Sequence, residues 1–306
     1  MRVVIVGPTH PYKGGIAQHT TELAHRLSAA GHEVDLWSWS EQYPQRLYPG
    51  QQRVPDDAPE LPVHPRTTYP LSWRRPDGWG RAGRRMAAYD VAVVVVVTPV
   101  QAPAYLTMLA TLRRRTRVIA LCHNVLPHER GKADLPLTKA VLRRADALIV
   151  HSDQERQKAE GLTRSQIVVT PLPPLALTVA SDFAPKASKS EASGRLLFFG
   201  MVRKYKGLDV LLEALAQVPD VSLTVAGEFW EDEAQTRALI ERLGLGDRVE
   251  VRSGYVAAAE VPDLFAGADA LALPYRASTA SAHAYIAHSH GIPVVGTTVG
   301  SIPEQV

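Results

Sequence analysis

Hydrophobic residues along this chain fall into short apolar runs that alternate with stretches of helical period. "RVVIVGP" (2–8) opens the pattern. It is followed by "GIAQHTTELAHRLSAAG" (15–31), where Ile16, Leu23 and Leu27 lie near one helical face and Gly31 ends the helix. The runs "EVDLWSW", "VAVVVVV", "VIALCHN" and "ALIVHS" come next, with helical segments between most of them. An all-aliphatic run such as Val91 to Val97 is what a strand buried on both faces of a parallel sheet requires. The Pro- and Arg-rich stretch from Tyr43 to Gly83 breaks the rhythm and reads as loops with short elements.

The pattern breaks again in "TPLPPLALTVASDFAPKASKSEASGR", a Pro-, Ser- and Ala-rich segment that reads as a linker with a surface loop. A second alternation follows: "LLFFG", helix 207–217, "SLTVAGE", helix 231–243, "VEVRSG", helix 260–267, "ALALPY", helix 279–290 and "PVVGTT". The expectation is an α/β protein of two tandem Rossmann-like domains, 1–178 and 179–306. Ligands are expected at the carboxyl ends of both sheets, hence in a cleft between the domains. The chain stops at "SIPEQV", just after a strand and a turn, so the second domain is expected to be incomplete.

Composition narrows the class. With 306 residues, 45% hydrophobic and 21% charged, the chain suits a globular protein. Its single cysteine, Cys122, excludes an intrachain disulfide framework and a Cys-rich zinc site, and fits a reducing cytosol. "MRVVIVGP" lacks the long apolar segment of a signal peptide, and "VAVVVVV" is too short to span a bilayer. Residues 1–175 hold 23 Lys and Arg against 15 Asp and Glu, a net +8; residues 176–306 hold 11 against 16, a net −5. A basic half of this kind suits contact with an anionic membrane surface or a phosphorylated acceptor. Nucleic acid is disfavoured, since no recognition-module signature or aromatic-interleaved basic stripe accompanies the charge.

Candidate chemistry sits at strand ends. "GPTHPYKGGIAQHT" leaves the first strand, and Gly14 and Gly15 there allow close backbone approach to a ligand at a helix start. The spacing is not G-x-G-x-x-G and the second strand ends in "WSWS", which disfavours NAD. In "LCHNVLPHE", His123 follows an apolar strand and is a candidate to contact a sugar hydroxyl; His128 and Glu129 are weaker. No H-E-x-x-H or cysteine partner suggests zinc. In "FFGMVRKYKGLDVLLEAL" three cations, Arg203, Lys204 and Lys206, stand between a strand and a helix start, where anions bind.

Taken together, "GGIAQHT", "CHNVLPHE", "FFGMVRKYKGLDVLLEA", "LTVAGEFWED", "YVAAAEVPDLFAGADALALPY" and "GIPVVGTTVGSIPEQV" resemble, in order and over essentially the whole chain, the GT-B glycosyltransferases of family GT4. The resemblance implies a retaining, metal-independent transfer from a nucleotide-diphosphate sugar, with no cofactor. It implies that Arg203 and Lys206 hold the donor diphosphate and offset the charge of the leaving group, while Lys204 faces solvent. His123 with Gly14 and Gly15 would serve the acceptor side and the reacting sugar. Glu228 is a candidate base or ribose contact. Ser281, with the backbone N–H groups near it, would cap phosphate or sugar, and Glu304 follows the last turn. A lipid-linked or cell-surface glycan acceptor fits the basic half.

The chain also departs from the family pattern. Met201 stands where the common G-R-L-x-x-x-K-G motif has arginine, so Arg203 substitutes. The E-x7-E positions are Ser278 and Ile286, so both carboxylates are absent, and His283 has no assigned role. Two other readings fit the same residues: a binding-only relative, and a nucleotide-sugar epimerase of the same architecture.

Overall fold

The computed structural model describes residues 1–42, 52–54, 62–112, 115–127, 131–173, 194–230, 232–278 and 281–306. It divides into two compact units, Met1–Leu172 and Pro173–Val306. The boundary expected at 178 lies outside the described residues.

The first unit is built on a parallel seven-stranded sheet. Its strands are β1 (Arg2–Val6), β2 (Glu33–Glu41), β3 (Thr67–Ser72), β4 (Val91–Val96), β5 (Arg117–Cys122), β6 (Ala147–Val150) and β7 (Gln166–Val169), in spatial order β3-β2-β1-β4-β5-β6-β7. The helices are α1 (Gly15–Ala29), α2 (Asp77–Met86), α3 (Ala102–Thr111), α4 (Asp134–Leu142) and α5 (Asp153–Glu160). Both sheet faces are covered, and the period of two along each strand decides which residue goes where. Val3, Ile5, Val34, Leu36, Val93 and Val95 pack against Ile16, Leu23 and Leu27 of α1. Val4, Val6, Trp37, Val94 and Val96 enter the opposite core with Met86, Tyr105 and Leu142.

Between Tyr43 and Gly83 the sequence suggested loops with short elements; the described part of that span holds the six-residue β3 and the start of α2. β3 escapes the apolar pattern because it is an edge strand, half exposed, with Pro70 in its run. β7 is also an edge strand, and it buries none of its residues fully.

The second unit is a parallel five-stranded sheet: β8 (Arg195–Phe199), β9 (Ser222–Gly227), β10 (Val249–Ser253), β11 (Ala270–Leu273) and β12 (Val294–Gly296), ordered β10-β9-β8-β11-β12. Its helices are α6 (Leu208–Leu215), α7 (Glu233–Arg242), α8 (Val261–Gly267), α9 (Ala282–Ser289) and α10 (Ile302–Gln305). Phe198, Val225, Leu208, Leu212 and Leu215 fill one face, and Leu197, Leu271, Leu273, Phe265 and Ile286 the other. In both units the first strand sits beside the strands that follow it on one side and a later strand on the other. That reversal creates a crevice at the carboxyl ends, where doubly wound sheets bind ligands.

Candidate active site

In the second unit the reversal point lies between β8 and β11, and the segments leaving these two strands hold Arg203, Lys206 and Ser281. Gly200, the first residue after β8, has φ 94°, a conformation open to glycine. The chain then reaches a tight 3-10 turn over Lys204–Lys206. Within it Lys204 is exposed and Lys206 is buried, at 3% exposure.

The ammonium of Lys206 lies 5.6 Å from the centre of the Tyr275 ring. Burial, reinforced by the charge of Arg203, pushes it down from 10.5 to about 7. No carboxylate among the described residues pairs with it. A buried ammonium without a counter-ion is costly unless an anion arrives. Arg203 stands close by, its guanidinium 4.9 Å from the centre of the Trp230 ring and 5.5 Å from that of Tyr205. Two aromatic faces hold the cation by attraction to their π clouds. Arg276 fixes the turn: it donates to the Lys204 carbonyl (3.1 Å) and makes two 2.6 Å bonds to Asp209.

Ser281 is buried at the start of α9. Its amide is already engaged, donating to Gln305 Oε1 at 2.9 Å, and its hydroxyl lies 3.4 Å from His283 Nδ1. The Ser281 amide expected to take part in capping a ligand is thus occupied within the fold. Tyr275 Oη is also 3.4 Å from His283 Nδ1, so Lys206, Tyr275, His283 and Ser281 form one connected group. Burial and the Lys206 charge hold the His283 imidazole well below the usual histidine range, hence neutral.

Glu228 directly follows β9, is half-buried, and accepts the Val202 amide through its carbonyl at 2.8 Å. Glu304 is exposed in the four-residue α10, one residue before the Gln305 that holds Ser281. Ile286 lies within the apolar core, so a carboxylate at that position would be excluded by its surroundings.

In the first unit Gly14 precedes α1 with φ 101°, and a Cβ there would meet no atom within 4 Å. Among the described residues no side chain caps the amides that begin with Gly15. Those amides and the helix dipole favour an anion or a polar hydroxyl. His123 follows β5, donates its amide to the Val96 carbonyl (3.1 Å) and is 7% exposed. Its Nε2 lies 3.2 Å from Nδ1 of His19, and its ring centre is 4.8 Å from that of His151. Burial keeps all three imidazoles below their ordinary range. His128 and Glu129 lie outside the described residues.

Residues 13–173 match the profile of Glycosyltransferase Family 4, and residues 193–306 match that of Glycosyl transferases group 1. The chain belongs to glycosyltransferase family 4. It is 30% identical over 208 residues to D-inositol 3-phosphate glycosyltransferase 1 of Catenulispora acidiphila, covering 60% of this chain and 49% of that protein. It is equally similar, 30% over 208 residues, to the GDP-mannose:glycolipid 4-beta-D-mannosyltransferase of Xanthomonas campestris, covering 64% and 54%. The chain thus spans about half the length of these two relatives. A longer alignment, 27% identical over 325 residues, joins 97% of the chain to 80% of a GDP-mannose-dependent alpha-(1-6)-phosphatidylinositol monomannoside mannosyltransferase of Mycolicibacterium smegmatis. Among solved structures, sucrose-phosphate synthase of Thermosynechococcus elongatus superposes with a TM-score of 0.75 at 18% identity, over 99% of this chain and 82% of that one. The galactosyltransferase WaaB gives 0.72 at 14% identity, over 99% and 82%. These two likenesses establish the GT-B fold.

Sequence reasoning named Arg203 and Lys206 but not the aromatic rings that hold them, Trp230 and Tyr275. Both follow strands of the second sheet closely, which is the signal that pointed to His123. His19 and His151 were also missed. His151 stands one residue after β6 as His123 stands one residue after β5, and those strands are neighbours.

Proposed function

We propose that this family-4 chain transfers a sugar from a nucleotide-diphosphate sugar to a hydroxyl acceptor, with retention and without a metal at the diphosphate. The observation that carries this reading is Lys206: a buried ammonium, unpaired by any described carboxylate, beside Arg203 at the reversal point of the second sheet. Two fixed cations in a poorly solvated pocket stabilise charge developing on a departing diphosphate, the task a divalent ion performs elsewhere. As the bond from the anomeric carbon to the diphosphate oxygen breaks, the acceptor hydroxyl attacks from the same face, gives its proton to the departing diphosphate and retains the anomeric configuration.

Gly14 and Gly15 present backbone amides toward the acceptor or the reacting sugar. His123, with Nε2 turned to His19, keeps Nδ1 for a sugar hydroxyl. Glu228 supports the nucleoside. The amides at the start of α9 beyond Ser281 support phosphate, with Glu304 next to the Gln305 that anchors them.

GDP-mannose is the first donor to try, since two of the relatives are named for it. A lipid-linked acceptor at a membrane surface fits those relatives, which act on a glycolipid and a phosphatidylinositol mannoside, and fits the +8 charge of residues 1–175. Among the described residues no helix is long and apolar enough to cross a membrane.

Incubation with GDP-, UDP- and dTDP-sugars tests the reaction. Slow donor hydrolysis, and transfer when lipid acceptor is added, supports it. Binding without turnover favours the binding-only reading, which rests on Ser278 and Ile286 standing in place of the carboxylates. Conversion to a free sugar isomer favours the epimerase. Association with anionic vesicles that weakens steeply with salt supports the acceptor class; no association at low salt contradicts it.

A further inference from the structure

Three histidines of the first unit converge below its surface. His19 comes from α1, and His123 and His151 follow the adjacent strands β5 and β6. All are buried, and one ring nitrogen of each lies within 4.8 Å of those of the other two. The His19 ring stands nearly perpendicular to those of His123 (84°) and His151 (82°), and the His123 and His151 rings are tilted 46° to each other.

The hydrogen bonds determine which nitrogens converge. Nδ1 of His151 lies 3.0 Å from the Thr170 carbonyl, which only accepts, so the proton sits on Nδ1 and Nε2 carries a bare lone pair. That Nε2 is buried and has no hydrogen-bond partner among the described residues. A buried acceptor left in this state costs about 1–3 kcal/mol. Nδ1 of His19 and Nε2 of His123 are 3.2 Å apart. Two nitrogens each about 2.1 Å from a tetrahedral zinc ion are themselves about 3.4 Å apart. A carbonyl holding the far nitrogen of a ligating imidazole is also the usual support for such a ligand.

We propose that His19 Nδ1, His123 Nε2 and His151 Nε2 bind one divalent transition-metal ion of the zinc and cobalt class. Three imidazoles select such an ion over magnesium or calcium, which take oxygen ligands. Glu155, fully buried, is close enough to His151 to act on its charge and is itself paired with Lys158 at 2.5 Å. The ion would tie α1 to the segments after β5 and β6 and thereby fix the Gly14–Gly15 turn, one helical turn before His19. The site shares His123 with the sugar-transfer reading but engages Nε2, the ring nitrogen that reading leaves to His19, and it takes no part in holding the donor diphosphate.

The test uses the full chain, freed of metal with a chelator and titrated with cobalt(II), then zinc(II). A second histidine pair, half-buried His25 and buried His64, with ring centres 5.0 Å apart, is removed beforehand as His25→Gln so that it adds no background. The expected result is one cobalt per chain, with the intense visible absorption of a four-coordinate ion, displaced by one equivalent of zinc. His151→Gln should weaken binding by at least about 100-fold, because it removes a direct ligand, whereas loss of a mere supporting group already costs about 10–100-fold. Absence of saturable binding, a weak six-coordinate spectrum, or unchanged affinity in His151→Gln overturns the proposal. Should His151→Gln not fold, the spectrum of the parent protein decides alone.

Discussion

The imidazole of His283 occupies the space that a side chain on Gly200 would need: a Cβ at position 200 would lie 2.5 Å from His283 Nε2. The ring is hemmed in by Phe199, 5.5 Å away at 81°, and by Tyr275 and Ser281 at 3.4 Å. Strand end, helix start and basic turn are thus locked together through one histidine that the sequence alone left without a role.

Gly200→Ala tests this lock. It meets both a backbone at φ 94° and a ring with little room to move, so a destabilisation of about 2–4 kcal/mol is expected in urea denaturation. Adding His283→Ala to Gly200→Ala should recover the steric part and leave only the backbone strain. Equal stability of Gly200→Ala and the parent would show that the ring is not held there.

Lys206 gives a stability signature with a defined sign. Its ammonium is pushed down from 10.5 in the unfolded chain to about 7 in the fold, so folding carries a penalty that is full below pH 7. Between pH 7 and 10.5 the unfolded chain binds the proton that the fold releases, and stability rises with pH. Lys206→Met should therefore be the more stable protein by about 1–4 kcal/mol at pH 6 without ligand, an advantage shrinking toward pH 10.5. Melting curves across that range check it; a Lys206→Met protein less stable at pH 6 contradicts it.

Donor binding should take up a proton. At pH 8 the free Lys206 is mostly neutral, and a diphosphate beside it restores the charge. Calorimetry in buffers of different ionisation enthalpy should show uptake approaching one proton at pH 8 and little at pH 6. Affinity should fall with rising pH above 7, up to about tenfold per unit. A pH-independent affinity from 6 to 9 would mean that Lys206 does not meet the diphosphate.

Trp230 should matter through Arg203, whose guanidinium it holds at 4.9 Å. Trp230→Leu removes one of the two aromatic faces, worth about 0.5–2 kcal/mol, and should weaken donor binding by about 2–30-fold. The proton uptake, which belongs to Lys206, should persist.

Both folds were legible because strands buried on two faces write themselves as unbroken apolar runs, Val91 to Val97 above all. β3 and β7 were not, because an edge strand contacts the core on fewer sides and carries residues such as Pro70, Gln166 and exposed Val168. The basic turn was legible since cations between a strand and a helix start are locally encoded. Its depth was not: Lys204 and Lys206 are the same residue type two positions apart, and only the turn of the chain decides which is buried. The His19, His123 and His151 cluster was hidden for another reason. Its members are 104 and 28 residues apart in sequence, and only the sheet order brings them together.

The most direct measurement is calorimetric binding of GDP-mannose and UDP-glucose to the parent chain and to Lys206→Met at pH 6.5, followed by turnover of whichever donor binds. A buried ammonium meeting a phosphate oxygen is a charge-assisted contact, and truncating one such partner costs about 2–5 kcal/mol. The account predicts that Lys206→Met, folded and thermally at least as stable as the parent, loses donor affinity by about 30-fold or more and loses turnover with it. Undiminished donor binding and turnover in a folded Lys206→Met protein would contradict it.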